Sequence, residues 1–135
     1  MGTIVVGYVP RPEGRMALQR GVEEARLRGS RLVVVNSHRG GREFDAQDVL
    51  DSEEQVTELR AALRDSGADH DIRQLVRGVD PGEDLVRVAS EVDAELIVIG
   101  LRRRSPVGKL ILGSNAQRVL LDAPCPVLAV KAPRK

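Results

Sequence analysis

The residues best suited to chemistry fall in one stretch, Gly100 to Asn115, which reads Gly-Leu-Arg-Arg-Arg-Ser-Pro-Val-Gly-Lys-Leu-Ile-Leu-Gly-Ser-Asn. Arg102, Arg103, Arg104, Lys109 and the nearby Arg118 supply positive charge, and no acidic residue occurs between Glu95 and Asp122. The apolar run Leu96-Ile97-Val98-Ile99 before the stretch reads as a strand, and the segment after it as a helix that Ser114 caps. Helix N-termini attract anions through their unpaired N–H groups, and glycines let a ligand approach the backbone closely. Two readings fit: a phosphate-binding loop, or a solvated basic connection between a strand and a helix.

Other reactive side chains do not assemble into catalytic machinery. Ser37 and His38 are adjacent and do not make a nucleophile–base pair by themselves, and His38 and His70 lack neighbouring ligands at zinc spacing. Cys125 lies between Pro124 and Pro126 and reads as a small core residue. A Walker-type phosphate loop is absent, because Gly108-Lys109 is followed by Leu110. The chain offers a binding loop, with no catalytic residues and no protein metal site.

The elements that must position this loop alternate along the chain. Thr3 to Tyr8 is an Ile/Val-rich run suited to a buried parallel strand. A turn at Pro10 to Gly14 leads to a helical pattern, Arg15 to Arg28, that Gly29 stops. Arg31 to Ser37 reads as a second strand, His38 to Phe44 as a loop, and Ala46 to Ser66 as a long helix. Between Glu43 and Glu58 there are seven acids and no Lys or Arg, which fits a solvated helix face. Asp71 to Val76 is more polar and suits an edge strand or a strand with one wet face. Asp80-Pro81-Gly82-Glu83 is a helix start: Asp80 caps, Pro81 takes the first position and Glu83 reaches back. Glu95 to Ile99 is the fourth strand, Ser114 to Gln117 has a capping-box pattern, and Val127 to Lys131 is the fifth strand. Alternating strands and helices dictate parallel strands, right-handed crossovers and helices on both faces of an open sheet. Ligands of such sheets bind beyond the carboxyl ends of the strands, where Val9-Pro10, Ser37-His38 and the Gly100 loop converge. If Val127, Leu128, Ala129 and Val130 form a sheet edge, they invite pairing with a second copy.

Bulk properties narrow the function. The 135 residues fit one domain, with 41% apolar and 30% charged residues. A net charge of +1 gives no general attraction to nucleic acid or membrane, and with no Trp, one Tyr and one Phe there are few platforms for base stacking. One cysteine fits a reducing cytoplasm, and no run approaches the length of a membrane span.

The residues resemble the universal stress protein family. Its nucleotide loop is Gly-x-x-Gly, nine residues, then Gly-Ser or Gly-Thr; Gly100 matches the first glycine and Gly113-Ser114 the closing pair. Ala123-Pro124-Cys125-Pro126-Val127-Leu128-Ala129-Val130-Lys131 is similar to the closing signature of the family, and the match covers nearly the whole chain. The resemblance implies a Rossmann-like α/β fold with strand order 3-2-1-4-5. It also implies a cytoplasmic stress-response role, a homodimer through the last strand, and binding of ATP or AMP with at most slow hydrolysis. Mg²⁺ would enter only with ATP. By position, Ser37 approaches the adenine beside Val9 and Pro10, while Gly100, Arg102, Arg103, Gly113, Ser114 and Asn115 surround ribose and phosphates. Arg103 replaces the second motif glycine, and Val9 stands where ATP-binding members usually carry Asp. The alternative is a dimeric interaction module without nucleotide.

Overall fold

The computed structural model describes residues 2–39, 46–78, 80–102 and 112–132. The elements run β1 (Thr3–Tyr8), α1 (Pro12–Arg28), β2 (Arg31–Arg39), α2 (Ala46–Ser66), β3 (His70–Gly78), α3 (Pro81–Glu91), β4 (Leu96–Leu101), α4 (Ser114–Asp122) and β5 (Val127–Lys131). The strands form one parallel sheet in the order β3-β2-β1-β4-β5, the order the family resemblance implies.

The β-branched runs explain the centre of the sheet. Side chains alternate across a strand, so Ile4, Val6 and Tyr8 of β1 join Leu32, Val34, Leu96 and Val98 on one face. Leu59 and Leu63 of α2 and Ala17 and Ala25 of α1 cover that face. Val5, Val33, Val35, Ile97 and Ile99 point the other way, under Leu85, Val88 and Ala89 of α3 and Val119 of α4. A strand buried on both faces needs continuous apolar sequence, which is why these runs do not alternate with polar residues. Burying each such side chain contributes about 1.5–3 kcal/mol.

Local chemistry sets the helix ends. Gly29 adopts φ 63° and closes α1, while the Ser30 N–H donates to the Ala25 carbonyl at 2.9 Å. Asp80 caps α3 as expected, its carboxylate accepting from the Gly82 N–H at 2.8 Å. Glu83 does not reach back; its carboxylate pairs with Arg118 of α4 at 3.4 Å. The two helices cross closely at Gly82, where a Cβ would come within 2.9 Å of the Asn115 carbonyl.

Four boundaries differ from the sequence reading, one of them that of β4, which runs Leu96–Leu101 where Glu95 to Ile99 was expected. Helix α1 begins at Pro12, so the expected turn at Pro10 to Gly14 is partly its first turn; proline suits that position because it lacks the N–H that would go unpaired there. Strand β2 continues through His38 to Arg39, and its register against β3 shifts between Ser37 and Arg39. Strand β3, at a sheet edge as expected, runs from His70 to Gly78. Among the described residues no helix is long and apolar enough to cross a membrane.

Candidate binding cleft at the strand ends

Strands β1 and β4 are neighbours, yet the helix following β1 covers one face of the sheet and the helix preceding β4 covers the other. Chain connections diverge there and leave a crevice at the carboxyl ends of the strands. It holds a cavity of about 700 Å³, bounded by the ends of β1, β2 and β4 and the starts of α1, α3 and α4. This is within the usual size range for a small-molecule site.

The three helix starts differ in electrostatic character. α1 carries Glu13 in its first turn, and α3 carries its Asp80 cap with Glu83 and Asp84. The first turn of α4 has no acid, and its N-cap is Gly113, which provides no side-chain acceptor. Ser114 is therefore not the cap. It is the first helical residue and exposed, and the carbonyl of Gly113 accepts the first helical bond, from the Gln117 N–H at 3.0 Å. Gln117 does not close a capping box either, because its Nε2 donates to the Leu112 carbonyl at 3.0 Å. The α4 start thus presents backbone donors and the positive end of a helix dipole, with Arg102 also on the cavity wall.

Gly100 has a packing role. A Cβ there would overlap the backbone carbonyl of Glu13, so a side chain at this point would push α1 off the end of β4. The same close approach brings Glu13 to the cavity wall, where it is only 8% exposed. A carboxylate in that position repels a phosphate and accepts hydrogen bonds from hydroxyl or amino groups.

Asn36 is the other buried polar group on the wall. It ends the run Leu32-Val33-Val34-Val35 on β2, opposite Tyr8 of β1, and is 1% exposed. Its Nδ2 makes no hydrogen bond among the described residues. A buried donor left unpaired costs about 1–3 kcal/mol, so an apolar residue would make a more stable strand. Tyr8 beside it is held as a neutral phenol: burial pushes its pKa up, against a smaller opposing effect of Arg15 and with a smaller contribution from Glu58. Cys125 lies elsewhere, and burial likewise raises its thiol, which fits a packing role.

Of the residues singled out from sequence, the fold brings Val9, Pro10, Gly100, Arg102, Gly113, Ser114 and Asn115 to one cavity wall. Ser37 follows Asn36 on β2, opposite Leu75. Arg103 lies outside the described residues. The sequence reading missed Asn36, Glu13 and Arg11, all on the wall. Asn36 had a signal: one polar residue terminating an apolar strand at its carboxyl end. Glu13 and Arg11 had none while α1 was started at Arg15. Among the described residues no three His, Cys, Asp or Glu side chains are grouped to hold a metal.

Comparison with known proteins gives a consistent result. The model of the universal stress protein family matches residues 1–131. The chain is similar to a universal stress protein of Mycolicibacterium smegmatis, 51% identical over 128 residues covering 95% of this chain and 96% of the relative. Its fold is similar to a universal stress protein from Archaeoglobus fulgidus, with TM-score 0.79, 42% identity and coverage of 97% of this chain and 99% of the other. A structure of the universal stress protein from the same organism in complex with dAMP matches with TM-score 0.74 and 36% identity, over 97% and 98% of the two chains.

Proposed function

The chain belongs to the universal stress protein family, and from that premise we propose that it binds an adenine nucleotide, AMP or ATP, in the cleft and acts as a stress-response regulator. The observation that carries this reading is the start of α4. It is an acid-free helix N-terminus without a side-chain cap, on the wall of a cavity at the switch point of the sheet. The dAMP complex of a relative at 36% identity supports the same reading.

In this proposal the phosphates lie against Gly113, Ser114 and Asn115, with Arg102 and Arg103 neutralising charge. Glu13 keeps phosphate away from the α1 side and accepts hydroxyl donors of the ribose. Val9 and Pro10 form the apolar wall beside the base, and Ser37 lies near it. Mg²⁺ arrives only on the phosphates of ATP. The regulator is a homodimer, paired through the β5 edge at Val127, Leu128, Ala129 and Val130. Nucleotide binding alters what that dimer presents to other proteins.

Thermal denaturation tests the proposal. Ligand at one hundred times its dissociation constant stabilises the folded state by about 2.7 kcal/mol. Saturating AMP is therefore expected to raise the melting temperature by roughly 5–10 °C. The rival reading, a dimeric interaction module, is favoured by Val9 at the end of β1, and it predicts no shift at millimolar AMP.

A further inference from the structure

We infer that Gly82 is a positioning residue of the phosphate site: by lacking a side chain it seats the first turn of α4 directly on the first turn of α3, and that seat fixes where the α4 backbone donors point. The inference rests on the nucleotide reading above. It assigns to α3, which makes no phosphate contact in that reading, the task of holding the anion site in place.

Three observations lead to it. First, α4 has little burial of its own to fix it. Of its nine residues only Val119 is buried, in the cluster that holds Leu85, Val88 and Ala89 of α3, while Leu120 and Leu121 stay exposed. Second, the close contact falls on the turn that matters. A Cβ at Gly82 would stand 2.9 Å from the Asn115 carbonyl oxygen and 3.1 and 3.2 Å from Cβ and Cγ of Arg118. Asn115 is the second residue of α4 and lies on the cavity wall. Beside this seat Glu83 pairs with Arg118 at 3.4 Å, which holds the two helices in the same register. Third, Gly82 is itself fixed and does not border the cavity. It is buried, and its N–H donates to the Asp80 carboxylate at 2.8 Å. Pro81 before it lines the cavity, whereas Gly82 is not among the residues that bound it. A change at Gly82 therefore reaches a ligand only through α4. The Asn115 oxygen is a backbone atom and cannot rotate aside, so a side chain at 82 moves the first turn of α4 by roughly 0.5 Å to regain ordinary contact. Binding groups must be held within about 0.5 Å of their productive geometry, so N–H donors aimed at a phosphate lose alignment over such a shift.

The test compares AMP with adenosine by titration calorimetry, in the native chain, Gly82→Ala and Gly21→Ala. The ratio of the two affinities isolates what the phosphate adds. Gly82 has no positive φ, so Ala suits its backbone and is the better helix former. Gly21→Ala is the control for a purely structural effect, because its methyl group would overlap Val6 beneath α1, away from α4. The native protein should bind AMP about a hundredfold more tightly than adenosine, the effect of two charge-assisted hydrogen bonds. Gly82→Ala should weaken AMP about tenfold and leave adenosine within about twofold. Gly21→Ala should melt at a lower temperature and keep the native ratio. A folded Gly82→Ala with the native ratio overturns the inference, and so does a Gly21→Ala that loses the ratio equally. If Gly82→Ala does not fold, amide exchange of the native protein decides. AMP should then slow exchange at the hydrogen-bonded N–H groups of Gly82 and Asp84 as well as in α4, and protection confined to α4 overturns the inference. A native protein that binds AMP no more tightly than adenosine also overturns it, while leaving a nucleoside in the cleft. If the native protein binds neither ligand, the nucleotide reading itself has failed, and this inference falls with it.

Discussion

Replacing Gly113 with Asp separates the electrostatics of the α4 start from its sterics. Gly113 is exposed, and among the described residues a Cβ at this position would meet nothing within 4 Å. Its backbone, φ −70° and ψ 167°, is extended and open to any residue. Asp is also a better N-cap than Gly, by a few tenths of a kcal/mol. Gly113→Asp is therefore expected to leave the melting temperature unchanged or slightly raised. Its effect on an anionic ligand is opposite in sign. The new carboxylate occupies the same first-turn N–H groups that the phosphate needs. At a separation of about 5 Å and an effective dielectric of about 40, between bulk water and a protein surface, each pair of like charges costs about 1.7 kcal/mol. A dianionic phosphate then loses about 3 kcal/mol, or roughly 150-fold in affinity. Gly113→Ala adds the Cβ without the charge, and its nucleotide affinity should stay within about threefold of native, since none of the described residues crowds that position. Calorimetric titration with AMP, alongside thermal denaturation, reads both effects. A stable Gly113→Asp variant with native affinity would refute the argument that phosphate lies at the start of α4.

Gly100→Ala should behave differently, because its methyl group would overlap the Glu13 carbonyl. It should lower stability by about 1–3 kcal/mol, a shift seen in denaturant unfolding without any ligand. Ala129→Pro tests the dimer. The Ile97 N–H donates to the Pro126 carbonyl and the Ala132 N–H to the Leu101 carbonyl, so even-numbered residues of β5 face β4 and the Ala129 N–H faces the open edge. Proline at 129 removes an outward donor and leaves the β4 ladder intact. Scattering should show a dimer for the native chain and a folded monomer for this variant. Asp80→Ala should cost about 1 kcal/mol in thermal unfolding through loss of the bond to the Gly82 N–H.

The fold was largely legible because its core strands are buried on both sides. Val33-Val34-Val35 and Leu96-Ile97-Val98-Ile99 have no polar alternative to the sheet interior, and the Asp80-Pro81 start carries its own cap. Segments whose structure depends on partners were less so. His38 and Arg39 are polar residues that extend β2 only because β3 lies alongside. Ser114 has the composition of a cap, but Gly113 holds that position, and Gln117 bonds backward to Leu112. The basic loop pointed to the side of the cleft at the start of α4, where we propose the phosphates lie. The opposite end was hidden, since Asn36 and Glu13 reach the cavity wall only through the packing of β2 against β1 and of α1 against Gly100.

The central claim, that the cleft holds an adenine nucleotide, is tested most directly by titration calorimetry of the native protein with AMP, ATP and GTP at physiological salt. The account predicts dissociation constants of order micromolar, about 8 kcal/mol of binding, with both adenine nucleotides preferred over GTP. No heat, and no competition at millimolar ATP, would contradict it and leave the dimeric interaction module as the reading to pursue.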